Sequence, residues 1–307
     1  MRRPPATSRS SLRSLAPACA LAALILLALA PDALASAQTP LITPQTGSPN
    51  ANRISDLYIV TLVIAAIIFA IVEGTLFYAL IHFRRRRGRV AAQIHGNTRL
   101  EIGWTAGAAL ILVALAIVTF VELGSIRKPD ASGPNGLSAN QVPVLVSSDA
   151  IRPPKGPFLT IQVNGQQYLW RYIYLNYGRA ADQIDDPYSS YQMVVPTNTT
   201  IVLKVVAQDV VHSWWIPQLG GKIQAVPGYA NWGWFKVSTP GNYFGTCAFL
   251  CGLGHARMKA EVTAVPPAQF VAWIDNQRKQ IAAANAAQAQ ARAAQQNKTG
   301  SAAVEVP

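Results

Sequence analysis

Cys247, Cys251, His255 and Met258 stand within Gly245-Thr-Cys-Ala-Phe-Leu-Cys-Gly-Leu-Gly-His-Ala-Arg-Met258. The whole 307-residue chain has only three cysteines, four histidines and three methionines, so this stretch concentrates scarce residues. Thiolate, imidazole and thioether form a soft donor set that suits copper and not magnesium or calcium. A second imidazole must come from elsewhere. His212, in Val211-His-Ser-Trp-Trp-Ile-Pro217, is the good candidate, because His82 ends an apolar span and His95 follows a run of arginines. A disulfide in an oxidising compartment or a Cys2His2 zinc site also accounts for the cysteine pair. Neither gives a use to Met258, whereas copper uses all five side chains.

These residues need a scaffold and a compartment. Arg2, Arg3, Arg9 and Arg13 precede an apolar run from Ala18 to Ala30, and Ala35-Ser-Ala37 offers a small-residue cleavage site. Residues 1–37 therefore read as a signal peptide, and Cys19 would leave with it. Residues 38–54 read as a flexible lead-in. Leu57 to Phe83 and Ile102 to Val121 are each apolar over the length of about 20 residues that crosses a bilayer. The first contains Glu73, an acid expected to be neutral or paired against a neighbouring helix. The loop between the spans carries Arg84-Arg-Arg-Arg-Gly-Arg89, which the positive-inside rule places in the cytoplasm. Both ends of the hairpin at 55–124 then face outward, as the signal peptide independently requires. Leader and loop, counted through Arg99, hold ten of the 26 Lys and Arg residues. The net charge of +12 thus reports topology and not a nucleic-acid partner.

Residues 125–154 are rich in Pro, Gly, Ser and Asn and read as a linker. Short β-branched or aromatic runs follow at Phe158–Val163, Tyr168–Tyr174, Thr200–Val206, Gly233–Val237 and Lys259–Val265. They predict an all-β sandwich over 155–266. His212 follows one strand and Met258 leads into the last, so the donors lie on two loops at one pole. Residues 267–307 read as a terminal helix docked through Phe270, Trp273 and Ile274, continuing into an Ala/Gln-rich, frayed tail.

Three segments resemble subunit II of cytochrome c oxidase, a family with a dinuclear copper centre called CuA. They are Asp209-Val-Val-His-Ser-Trp-Trp-Ile-Pro217, Gly221-Lys-Ile-Gln-Ala-Val-Pro-Gly228 and Cys247-x3-Cys251-x3-His255-x2-Met258. The last part of the third also resembles the metal loop of single-copper cupredoxins. Gly165-Gln-Gln-Tyr-Leu-Trp-Arg-Tyr-Ile-Tyr174 and His95-Gly-Asn-Thr-Arg-Leu-Glu-Ile-Gly-Trp-Thr105 extend the resemblance over about Ile54 to Trp273. It implies a transmembrane helical hairpin plus an all-β cupredoxin-like sandwich domain in a bacterial inner membrane, with both termini outside. It also implies that Cys247 and Cys251 bridge two coppers, that His212 and His255 each terminate one, and that Met258 and the Phe249 carbonyl are axial. Cytochrome c would donate electrons, which pass to haem in the catalytic subunit for proton-pumping oxygen reduction. Within one superfamily, the CuA subunit of a nitric oxide reductase is the alternative. A membrane-tethered copper carrier is an alternative of another class. A quinol oxidase subunit is expected to lack these copper ligands.

The chain departs from the family pattern at three positions. Phe249 stands where the family has Glu, and Gln224 where it tends to have Asp, so the resemblance implies a weak or absent magnesium site. Tyr168 replaces the Trp that receives electrons, while Trp170 and Tyr172 are retained; core packing explains such rings equally well. Between Lys155 and Val265 there are eight basic residues and five acidic ones. The docking acids would be Asp182, Asp185, Asp186 and Asp209, a small patch. A cytochrome c donor that docks by apolar contacts, or one tethered to the same membrane, is therefore expected. Asp209 is open to two readings, docking or ordering the His212 loop.

Overall fold

The structure is a computed structural model that describes residues 47–84, 93, 95–143, 151–175, 177 and 186–302. The signal peptide, most of the lead-in, the centre of the arginine loop, Asp182 and Asp185 lie outside the described residues.

Two long helices come first, α1 (Pro49–His82) and α2 (Thr98–Arg127). Each is long and apolar enough to cross a membrane. Phe69, Leu80, Leu110 and Phe120 stand exposed along them, as side chains facing lipid or a partner would. The Asn97 side chain caps α2 by accepting from the Leu100 N–H at 3.2 Å. The first helix begins at Pro49, inside the stretch expected to be a flexible lead-in. Proline suits the first helical turn, and the neighbouring polar residues anchor it. Asn50 is buried and donates to the Trp234 carbonyl at 2.7 Å, and Ser48 Oγ accepts from the Lys236 N–H at 3.0 Å. At the same end, Arg53 pairs with Asp130 at 3.0 Å and Trp234 Nε1 donates to the Ile126 carbonyl at 2.8 Å. The hairpin is thus fastened to the β domain at the end away from the arginine loop.

The expected linker is packed and not free over its first half. Leu137 is buried, the Gly133 N–H donates to the Asn198 carbonyl at 2.7 Å, and the Thr200 hydroxyl donates to the Asp130 carbonyl at 2.7 Å. Buried backbone groups must find partners, and this segment finds them on the edge of the sandwich.

The β domain contains β1 (Phe158–Gln166), β2 (Leu169–Tyr174), β3 (Tyr188–Ser190), β4 (Gln192–Pro196) and β5 (Thr200–Ala207). After them come β6 (His212–Trp214), β7 (Ile223–Ala225), β8 (Asn231–Lys236), β9 (Gly241–Thr246) and β10 (Lys259–Val265). One sheet has the order β3-β2-β1-β5-β8, a second has β4-β10-β9, and β6 and β7 form a short ribbon. The inward residues of β10, Ala260, Val262 and Ala264, are buried and alternate with more exposed neighbours. They meet Leu159, Ile161, Val163, Ile201, Leu203 and Val205 of the larger sheet in one core. This is the sandwich expected. α3 (Pro267–Ala302) closes one side through buried Phe270 and Ile274, with Trp273 packed on Tyr174. It runs as helix past the point where fraying was expected.

Candidate metal centre

Two connections at one end of the sandwich carry the donors. The first is the turn between β5 and β6, which delivers His212 as the opening residue of β6. His212 is fully buried. Its ring is held edge-on to Trp170, with centroids 5.9 Å apart, and its Nε2 meets Asp209 Oδ1 at 2.8 Å. Gly165 makes room here, since a Cβ on it would lie 2.9 Å from the Trp170 ring and 3.1 Å from the His212 ring. Asp209 also accepts the N–H groups of Gln167 at 2.6 Å and Val210 at 2.7 Å. Partial burial works against its charge. The bonds from Gln167, His212 and Val210 outweigh that, and its carboxyl titrates below the ordinary range.

The second connection runs from β9 to β10. Its neck is closed by the Cys247 N–H donating to the Met258 carbonyl at 2.9 Å, and the Ala248 N–H ties it to the Ser213 carbonyl of β6 at 2.9 Å. Gly252, at φ +127°, turns the chain in a conformation that L side chains rarely adopt. One turn of 3-10 helix at His255–Arg257 then lifts His255 back over the cysteines.

The expected donors meet. Cys247 Sγ lies 3.9 Å from Cys251 Sγ, 4.0 Å from His212 Nδ1 and 3.3 Å from the Phe249 carbonyl oxygen. Cys251 Sγ lies 3.6 Å from His255 Nδ1 and 4.0 Å from Met258 Sδ. Cys247, Cys251 and Met258 are buried, while His255 is half-buried. Both cysteines are free thiols. Their separation is far beyond the disulfide length of about 2.05 Å. A metal bonded to both sulfurs at about 2.3 Å spans it readily, so the donor set fits a metal held by both thiolates. Burial, and secondarily Cys247 alongside, push the Cys251 thiol up to about 11.

The other candidate residues divide by position. Tyr168 is partly exposed, and its ring lies against the loop backbone, where a Cβ on Gly254 would come within 2.4 Å of it. Trp170 is buried beside His212, and its Nε1 has no hydrogen-bond partner among the described residues. Tyr172 is also fully buried and accepts from Trp214 Nε1 at 3.4 Å. Asp186 is 2% exposed, so it is not available as a surface docking acid. It sits two residues before β3 begins at Tyr188. Gln224 is exposed on β7 directly across from Ser213, whose carbonyl accepts from the Ala248 N–H, one residue before Phe249. Gln167 was missed in the sequence. The stretch Gly165-Gln-Gln-Tyr168 drew notice only for its aromatic ring, and nothing local marks Gln167 as a partner of both loops.

Two family descriptions match this chain. "Cytochrome C oxidase subunit II, periplasmic domain" covers residues 159–265, and "Cytochrome C oxidase subunit II, transmembrane domain" covers 36–121. Cytochrome c oxidase subunit 2 of Alkalihalophilus pseudofirmus is 32% identical over 235 residues, spanning 76% of this chain and 61% of that one. Its counterpart in Cereibacter sphaeroides is 30% identical over 263 residues, spanning 76% of this chain and 78% of that one. The solved periplasmic domain of subunit II of cytochrome oxidase from Bradyrhizobium japonicum is 30% identical, with a TM-score of 0.37, covering 40% of this chain and 95% of that one. The chain, a membrane-anchored protein, belongs to the cytochrome c oxidase subunit II family.

Proposed function

We propose that this chain is the subunit through which electrons enter a respiratory haem-copper oxidase, by way of a dinuclear CuA centre. The observation that carries the reading is the convergence of six donors from two loops. They are His212, Cys247, the Phe249 carbonyl, Cys251, His255 and Met258. When bound, the copper pair supplies a one-electron carrier whose charge change is shared over two metals. The protein's part is to keep the donors from moving. His212 is held between Asp209 and Trp170, Cys247 is bonded at the loop neck, and Met258 is fully buried in the core. A centre that need not rearrange exchanges electrons with little reorganisation. Burial of both thiols also speaks against a copper carrier, which needs exchangeable and accessible ligands.

Electrons would come from a cytochrome c and leave to haem in a catalytic subunit, where oxygen is reduced and protons are pumped. Both chain termini would lie on the outer side of the bacterial inner membrane. The donor face would be the outer side of the metal loop. Leu253 is fully exposed there, Leu250 is 78% exposed, and Val210 and Tyr168 are partly so. An apolar face of this kind favours a donor held by contact area over one steered by charge.

The test is copper stoichiometry and EPR of the detergent-solubilised full chain. Two coppers per chain sharing one unpaired electron are expected, and Cys247→Ser should abolish the shared signal while the sandwich stays folded. One copper with a blue-copper spectrum would overturn the assignment.

A further inference from the structure

The β1–β2 turn reaches across the outer side of the metal site and touches both donor-bearing loops. Gln167 makes the two bonds. Its backbone N–H donates to Asp209 Oδ2 at 2.6 Å, and Asp209 Oδ1 in turn holds His212 Nε2 at 2.8 Å. Its side-chain Nε2 donates to the carbonyl oxygen of Cys251 at 2.8 Å. The next residue continues the contact, since a Cβ on Gly252 would lie 2.5 Å from the Tyr168 hydroxyl. On the inner side the same two segments are joined by the Ala248 N–H to the Ser213 carbonyl at 2.9 Å and by the Thr246 N–H to the Trp215 carbonyl at 3.1 Å.

We propose that Gln167 is a positioning residue, a clasp that fixes the His212 loop against the Cys251 loop. Inner bonds that all lie on one side of the site act as a hinge and leave the outer parts of the loops free to rock. The Gln167 bonds on the opposite side remove that freedom. The lever is long at Cys251, whose sulfur faces Cys247, His255 and Met258 at 3.6 to 4.0 Å. A shift of its backbone therefore disturbs three donor pairs together. The functional consequence, a low reorganisation cost, rests on the copper reading above. The clasp itself is a property of the polypeptide.

Hydrogen exchange of the metal-free full-length chain in detergent tests it, with Gln167→Met and Gln167→Glu. Methionine keeps the length and loses the donor; glutamate puts an acceptor against the Cys251 carbonyl. A net hydrogen bond of ordinary strength corresponds to about two- to tenfold in local opening. Gln167→Met should speed exchange by that factor at the Cys247, Ala248, His255 and Met258 amides and in 209–213, and Gln167→Glu should do so more. The amides of β5 and β10 should be unchanged. Unchanged exchange in both loops, or an equal rise throughout the sandwich, overturns the clasp. In the copper-loaded chain Gln167→Met should retain its copper and shift the visible bands and copper hyperfine pattern; an unaltered spectrum also counts against positioning. If the wild-type chain takes up no copper, the copper reading fails and the exchange result still decides the clasp.

Discussion

Asp209 and His212 are joined through Oδ1 and Nε2 at 2.8 Å, which leaves His212 Nδ1 facing Cys247 Sγ at 4.0 Å. A carboxylate accepts, so Nε2 carries the proton and the Nδ1 lone pair is left for a metal. The partner of one ring nitrogen sets what the other can do. Asp209→Ala would leave a fully buried Nε2 without its acceptor. Thermal unfolding of the metal-free chain should show a loss of about 1–3 kcal/mol, and chelator competition a fall of about 10- to 100-fold in copper affinity. Unchanged values in both would mean that Asp209 only faces solvent.

The Cys251 thiol is held up to about 11, chiefly by burial. A metal must displace that proton, so copper affinity should rise with pH through the neutral range. The sign for stability is the opposite. A pKa raised by folding stabilises the metal-free chain fully below the unfolded value. That contribution disappears as pH climbs from about 9 toward 11. Denaturant midpoints of the metal-free chain across that window should fall, and Cys251→Ala should flatten the fall.

Gln224 pairs with Ser213 from β7, and Ala248, the neighbour of Phe249, bonds Ser213 from the metal loop. Neither Phe249 nor Gln224 offers the carboxylate that magnesium or manganese favours. In the oxidase proposed to assemble around this chain, Phe249→Glu with Gln224→Asp should create a manganese EPR signal. A strong signal in the unaltered enzyme would mean that other residues supply the oxygens.

The proposed donor face should show weak salt dependence. Asp186 is buried and Asp209 is occupied by His212, while Leu250 and Leu253 are exposed. Reduction by a soluble basic cytochrome c should vary little with ionic strength, since screening weakens only charge steering. Leu253→Ser should slow it several-fold. A steep fall with salt, lost on changing Asp182 and Asp185 to Asn, would restore an acidic dock.

A reporter fused after Pro307 should be active on the outer side of the membrane, and one within 85–90 on the cytoplasmic side. The reverse pattern would invert the hairpin.

The side chains that converge from the 245–258 loop and the two long apolar helices were legible in the chain because each depends on local chemistry. Soft atoms spaced three or four residues apart need only one loop to meet, and some 20 apolar residues partition into a bilayer whatever their neighbours do. The strand β10 matches its expected range for the same reason, its alternation being a property of consecutive residues. By contrast, β4 ends in proline and β9 carries two glycines, so their strand character comes from pairing with β10. Distant contacts decided the rest. The burial of Asp186, the anchoring of Asn50 to Trp234 and the double grip of Gln167 all join segments far apart in sequence. The job of Asp209 hinges on Gln167, 42 residues away, as well as on His212. A hydrogen bond depends on where two groups end up, and residue types three positions apart specify that only when they share a turn.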